Sequence, residues 1–101
     1  MRVPLCQVHE IPEEGAKTVE FFGREVLVLK VDGRPKAMLN VCMHLGGPMK
    51  REGERLVCEW HGAEFDVAQG RCVAGPARPD SRIITLPTRT ENGEVVYVYG
   101  E

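Results

Sequence analysis

The sequence predicts an all-β fold, an antiparallel sandwich or small barrel, and three observations carry that expectation. Short apolar, β-branched runs recur along the chain, the longest being Glu25-Val26-Leu27-Val28-Leu29-Lys30-Val31. Two dipeptides that tolerate the positive φ of a tight hairpin turn, Asp32-Gly33 and Asn92-Gly93, lie beside such runs. No stretch sustains apolar residues at the 3.6-residue spacing of an amphipathic helix.

Taken in order, Val3, Leu5 and Cys6 begin an edge strand, and Ile11-Pro12-Glu13-Glu14-Gly15 reads as a turn. Val19, Phe21 and Phe22 lead to Gly23, and the run from Glu25 to Val31 is the strand expected to be most buried. Asp32-Gly33 turns it back through Lys36 to Asn40, which delivers the chain to Cys42. Leu45-Gly46-Gly47-Pro48-Met49 is a loop, Lys50 to Arg55 a charged stretch, and Leu56-Val57-Cys58 a short strand. Gly62 to Val67 looks strand-like and turns at Gln69-Gly70; Cys72 to Ala77 reads as a Gly/Pro segment. Ile83 to Leu86 and Glu94 to Tyr99, joined through Glu91-Asn92-Gly93, are expected to close the chain as a hairpin.

At 101 residues the chain is one domain, 1–101, without room for a second core. With 43% apolar and 28% charged residues it has globular rather than disordered composition. Thirteen basic residues against fifteen acidic ones, interspersed, leave no cationic stripe for nucleic-acid phosphates. There is no signal-peptide pattern at Met1 to Cys6 and no run long enough to span a bilayer, so a cytoplasmic location away from the membrane is expected. In that compartment the four Cys are reduced rather than paired as disulfides.

The chemistry concentrates between residues 42 and 61. Cys42-Met43-His44 and Cys58-Glu59-Trp60-His61 each place a thiolate and an imidazole one or two residues apart, within glycine-containing loops. Each pair is suited to presenting both donors from one loop tip to one inorganic centre. Cys and His together suit zinc or an iron–sulfur centre rather than Mg or Ca, which prefer oxygen.

These pairs, with Leu45-Gly46-Gly47-Pro48, then Gly62-Ala63-Glu64-Phe65-Asp66, then Gly75-Pro76-Ala77, resemble the Rieske [2Fe–2S] family, and most of all the soluble Rieske-type ferredoxins of bacterial ring-hydroxylating oxygenase systems. The resemblance implies a Rieske-like fold with a cluster-binding subdomain of two loops, roughly residues 41–77. It implies one [2Fe–2S] cluster per chain, with Cys42 and Cys58 on the inner iron and His44 and His61 on the outer one. It also implies a non-catalytic one-electron carrier between a flavin-dependent ferredoxin reductase and a terminal oxygenase, docking transiently near His44 and His61. Two imidazoles in place of two thiolates leave such a centre less negative, which raises its potential to roughly −150 to +300 mV. In high-potential respiratory relatives a Ser and a Tyr following the second His donate hydrogen bonds toward the cluster; the matching positions here are Ala63 and Phe65, which cannot. The loop-to-loop disulfide of those relatives is likewise ruled out, since Gly47 occupies one of its positions and no Cys lies between Cys58 and His61. A potential toward the low end of the range follows. The thirteen residues between His44 and Cys58 are fewer than the family usually has, so the excursion joining the loops must be abbreviated.

Three other readings compete. A zinc-stabilised interaction module would use the same Cys₂His₂ set, although structural zinc ligands usually come as Cys–Cys and His–His pairs. A Cys–His nucleophilic site would not need two equivalent pairs. The small subunit of a nitrite reductase, or of another multisubunit redox enzyme, contains a similar domain. Elsewhere, Cys6 and Cys72 are expected to be small buried hydrophobes, His9 a surface residue, and Trp60 a residue that packs on the cluster loops.

Overall fold

In a computed structural model the chain is described at residues 2–41, 48–60, 62–75 and 82–99. Among these described residues eleven strands form three antiparallel sheets. β1 (Arg2–Gln7) pairs with β11 (Glu94–Val98), which pairs with β10 (Thr88–Glu91). The central sheet runs β2 (Lys17–Phe21), β3 (Arg24–Val31), β4 (Arg34–Leu39), β9 (Thr85–Leu86). The third comprises β5 (Met49–Glu52), β6 (Arg55–Cys58), β7 (Glu64–Asp66) and β8 (Cys72–Ala74) in chain order. A 3-10 turn, Val8–Glu10, follows β1.

β3 explains why its sequence is continuously apolar. Successive side chains of a strand point to opposite faces, and here both faces are covered. Val26 and Val28 enter a core with Cys6, Ile11, Ala37 and Val95, which joins the central sheet to the first. Leu27 and Leu29 enter a second core with Met38, Leu56, Cys58, Phe65 and Val67, which joins it to the third. Fully burying one such side chain contributes roughly 1.5–3 kcal/mol. A one-residue slip would exchange the two sets. The β3–β4 register, with Leu27 opposite Met38 and Val28 opposite Ala37, keeps them apart.

Three hairpins turn through two residues that both have positive φ, as type I′ turns require: Asp32-Gly33 (53° and 77°), Asn92-Gly93 (54° and 77°) and Phe22-Gly23 (51° and 80°). The first two bear out the sequence reading, and β1 is the edge strand anticipated at Val3 to Cys6.

Three expectations are corrected. The length suggests a single core, and β3 instead separates two. Ile83 to Leu86 does not pair with the C-terminal strand: Pro87 lacks an N–H and splits the run, so Thr85–Leu86 joins β4 while Thr88–Glu91 forms the hairpin with β11. The charged stretch after Met49, to which the sequence assigns no element, is a tight hairpin, β5 to β6, whose Arg51 and Glu52 sit opposite Leu56 and Arg55. It bends at Gly53, which has φ 62°. Cys72 to Ala74 is a strand paired to β7 rather than loop.

Candidate metal centre

Of the four candidate ligands, Cys58 lies among the described residues; Cys42, His44 and His61 lie outside them. Cys58 ends β6, opposite Met49, and is 1% exposed. Behind it stand Leu56, Phe65, Met38 and Leu27 in one apolar core. A thiolate at this position is therefore backed by a dry wall.

The second loop is closed by its own backbone. The Cys58 N–H donates to the Ala63 carbonyl at 2.8 Å, and the Gly62 N–H donates to the Cys58 carbonyl at 2.9 Å. Gly62 has φ 78°, which permits the tight return. Between these closures Glu59 and Trp60 project outward, Trp60 being 66% exposed. Trp60 is thus a surface residue, which corrects the expectation that it packs. The Glu59 N–H also donates to the Pro48 carbonyl at 2.9 Å, tying the second loop to the end of the first.

Gly75 supports this turn from beneath. A Cβ at residue 75 would lie 2.6 Å from the Ala63 Cα and 3.0 Å from the Gly62 carbonyl oxygen, and Gly75 has φ 93°. The backbone of the Gly75 segment therefore lies directly against the loop that follows Cys58, an approach only glycine allows. Pro76 and Ala77, the rest of that motif, lie outside the described residues. Ala63 and Phe65 are both 0% exposed.

Asn40 was not singled out by the sequence, where it reads as the last residue of a returning strand. Its N–H donates to the Glu25 carbonyl at 2.9 Å, and its side-chain Oδ1 accepts the Met49 N–H at 2.8 Å. These bonds bracket residues 42–47. A lone Asn preceding a ligand motif carries no signal by itself, because its partners, Glu25 and Met49, are distant or unremarkable in sequence.

The remaining Cys and His residues are separate. Cys6 lies in the other core, as expected, and burial pushes its thiol up from the ordinary range, with Glu10 adding and Lys17 opposing. It stays protonated and inert. Cys72 is half-buried rather than fully buried; it packs against the core that holds Cys58 and sits opposite Phe65 on β8, an edge strand among the described residues. His9 is exposed in the 3-10 turn, beside the Gly93 end of the first sheet. Among the described residues no three His, Cys, Asp or Glu side chains converge to hold a metal ion. No described helix is long and apolar enough to cross a membrane.

Comparison with known proteins agrees with this architecture. Residues 1–90 match the Rieske [2Fe-2S] domain family. The ferredoxin component of a naphthalene 1,2-dioxygenase system of Pseudomonas aeruginosa is 32% identical over 97 residues, covering 93% of this chain and 91% of that one. The oxygenase component of chloroacetanilide N-alkylformylase from Rhizorhabdus wittichii is 36% identical over 84 residues, but the chain spans only 24% of its length. A ferredoxin of Sphingomonas yanoikuyae B1 superposes with a TM-score of 0.84 at 27% identity, covering 98% of this chain and 99% of that one.

Proposed function

We propose that this chain, which belongs to the Rieske [2Fe-2S] domain family, is a one-electron carrier taking electrons from a flavin-dependent ferredoxin reductase and passing them to the terminal oxygenase of a ring-hydroxylating system. The observation that carries the reading is the end-to-end likeness to free ferredoxin components, where the match to an oxygenase component covers only a fragment of that protein.

The residues fit the cluster. Two thiolates and two imidazoles form the donor set, Cys42 and Cys58 for the inner iron and His44 and His61 for the outer. The dry wall behind Cys58 suits the inner position, and the closure between Cys58 and Ala63 holds that loop without recourse to a disulfide. When bound, the cluster supplies a centre that takes up and releases one electron. Everything else is positioning by the chain, chiefly by a cluster-binding subdomain of roughly residues 41–77.

Ala63 and Phe65 direct the potential. Both are fully buried and neither carries a hydroxyl, so this side of the loop offers no side-chain donor to stabilise the reduced, more negative state. The chain therefore works toward the negative end of the Rieske range.

Trp60 marks the docking face. A large aromatic exposed beside a ligand is the type of side chain that anchors protein interfaces, and a carrier that must leave each partner needs a small, transient contact. We place the protein in the cytoplasm, where Cys6, Cys58 and Cys72 remain free thiols when the cluster is absent.

The test is spectroscopic. Anaerobically purified protein should be coloured, contain two irons and two sulfides per chain, and lose the cluster when His44→Ala or His61→Ala is made. A colourless preparation containing zinc, or a His61→Ala variant with an unchanged Rieske spectrum, would overturn the assignment. A midpoint above about +100 mV would overturn the low-potential claim, on the scale of roughly −150 to +300 mV for such centres.

A further inference from the structure

We infer that Asn40 is a positioning residue for the cluster, a clamp that fixes the mouth of the first ligand loop and ties it to the central sheet; the inference rests on Cys42 and His44 being ligands. Asn40 stands two residues before Cys42, and its partner Met49 stands five residues after His44. The Asn40 Oδ1 accepts the Met49 N–H at 2.8 Å, its Nδ2 donates to Glu25 Oε1 at 3.1 Å, and its backbone N–H donates to the Glu25 carbonyl at 2.9 Å. One side chain therefore joins the chain leaving for the loop, the chain returning from it, and β3.

The chemistry demands an amide. A backbone N–H needs an acceptor and a carboxylate needs a donor, and among side chains of this length only Asn offers both at once. The bond to Met49 has a further consequence, because Met49 lies opposite Cys58 in the β5–β6 ladder. Glu25, Asn40, Met49 and Cys58 thus form a continuous connection from β3 to the thiolate strand, and the Glu59 N–H to the Pro48 carbonyl runs alongside it. Both ligand loops are held to one frame at their roots. A loop whose ends are fixed loses less conformational freedom when its ligands engage, so its cluster is retained longer.

The pair with Glu25 makes this testable beyond mere stability. Asn40→Asp keeps the acceptor for Met49 but sets a carboxylate against the Glu25 carboxylate, a like-charge contact. Glu25→Gln then restores complementarity with the donor and acceptor reversed. Holoprotein of the parent, Asn40→Asp, Glu25→Gln with Asn40→Asp, and Asn40→Ser, which reaches neither partner and adds no charge, is challenged with an iron chelator. The first-order loss of cluster absorbance, the electron paramagnetic resonance signature and the midpoint potential are recorded.

The expected result is cluster loss about tenfold faster in Asn40→Asp and Asn40→Ser, equivalent to about 1.4 kcal/mol, with an altered resonance signature. The double variant should return to within about twofold of the parent, a recovery expected of a coupled pair. Cluster loss at the parental rate in both single variants, or a double variant no better than Asn40→Asp, overturns the clamp while leaving the carrier reading intact. A parent chain that takes up no iron and sulfide overturns the carrier reading, and the clamp with it.

Discussion

On one face of β3, Val26 and Val28 meet Cys6, Ile11 and Val95; on the other, Leu27 and Leu29 meet Met38, Leu56, Cys58 and Phe65. The first core joins sheets whose hairpins turn in two residues and whose role is to persist. The second lies beneath strands of only three or four residues, β5 to β8, that cannot be stable by themselves and exist to present loops. One strand therefore supplies stability to both, and the difference teaches where function can be lost without losing the fold. Damage on the leucine face reaches Cys58 directly, whereas damage on the valine face must first loosen the base.

The most severe break of that separation is Gly75→Ala. The added methyl would collide with backbone of Ala63, which no side-chain rotation relieves, and φ 93° is poor for any residue with a Cβ. Urea unfolding of the apo chain should show a loss of about 3 kcal/mol, from overpacking of about 1–3 kcal/mol together with about 1–2 kcal/mol of backbone strain, and iron content should fall below a tenth of the parent. Leu29→Ala and Val28→Ala then compare the two faces of β3. Leu29→Ala should cost about 3 kcal/mol and accelerate cluster loss. Val28→Ala should cost about 2 kcal/mol with the holo spectrum unchanged, and equal effects on cluster retention would refute the division.

Ala63→Ser sharpens the leucine side without breaking it. A hydroxyl introduced beside the cluster loop should raise the midpoint by on the order of 60 mV, one hydrogen bond of about 1.4 kcal/mol read as a one-electron potential. An unchanged midpoint in protein film voltammetry would show that position 63 does not face the cluster. The smallest effect belongs to the base: Phe22 is 72% exposed at φ 51° in a type I′ turn, where Asn is favoured. Phe22→Asn relieves the backbone but loses the edge-on ring contact with Phe21 at 4.6 Å, so stability should change by less than about 1 kcal/mol and the visible spectrum should be unaltered.

Much of this was legible because local signals and tertiary demands agree. Asp32-Gly33 and Asn92-Gly93 state their turns outright, and the unbroken apolar run of β3 is what a strand covered on both faces must have. The paired Cys and His motifs mark residues 42–61 by residue type and spacing alone. Illegible parts had local signals that pointed elsewhere. Lys50 to Arg55 is polar because its hairpin has a large solvent-facing side, and Phe22-Gly23 hides a type I′ turn behind a bulky residue. Cys72 looked like a core residue because nothing in the sequence says that β8 is an edge strand. Gly75 stands out in the sequence as part of Gly75-Pro76-Ala77, but Asn40 matters through contacts with Glu25 and Met49, distant residues that no pattern within the sequence links to it.

The exposure of Trp60 also equips the protein with an optical probe. It is the only tryptophan in the chain, stands between Cys58 and His61, and is 66% open to solvent. Its emission can be excited apart from that of Tyr97 and Tyr99 and will be quenched by an iron–sulfur chromophore so near in the chain. Loading of the cluster can therefore be followed on an unlabelled sample.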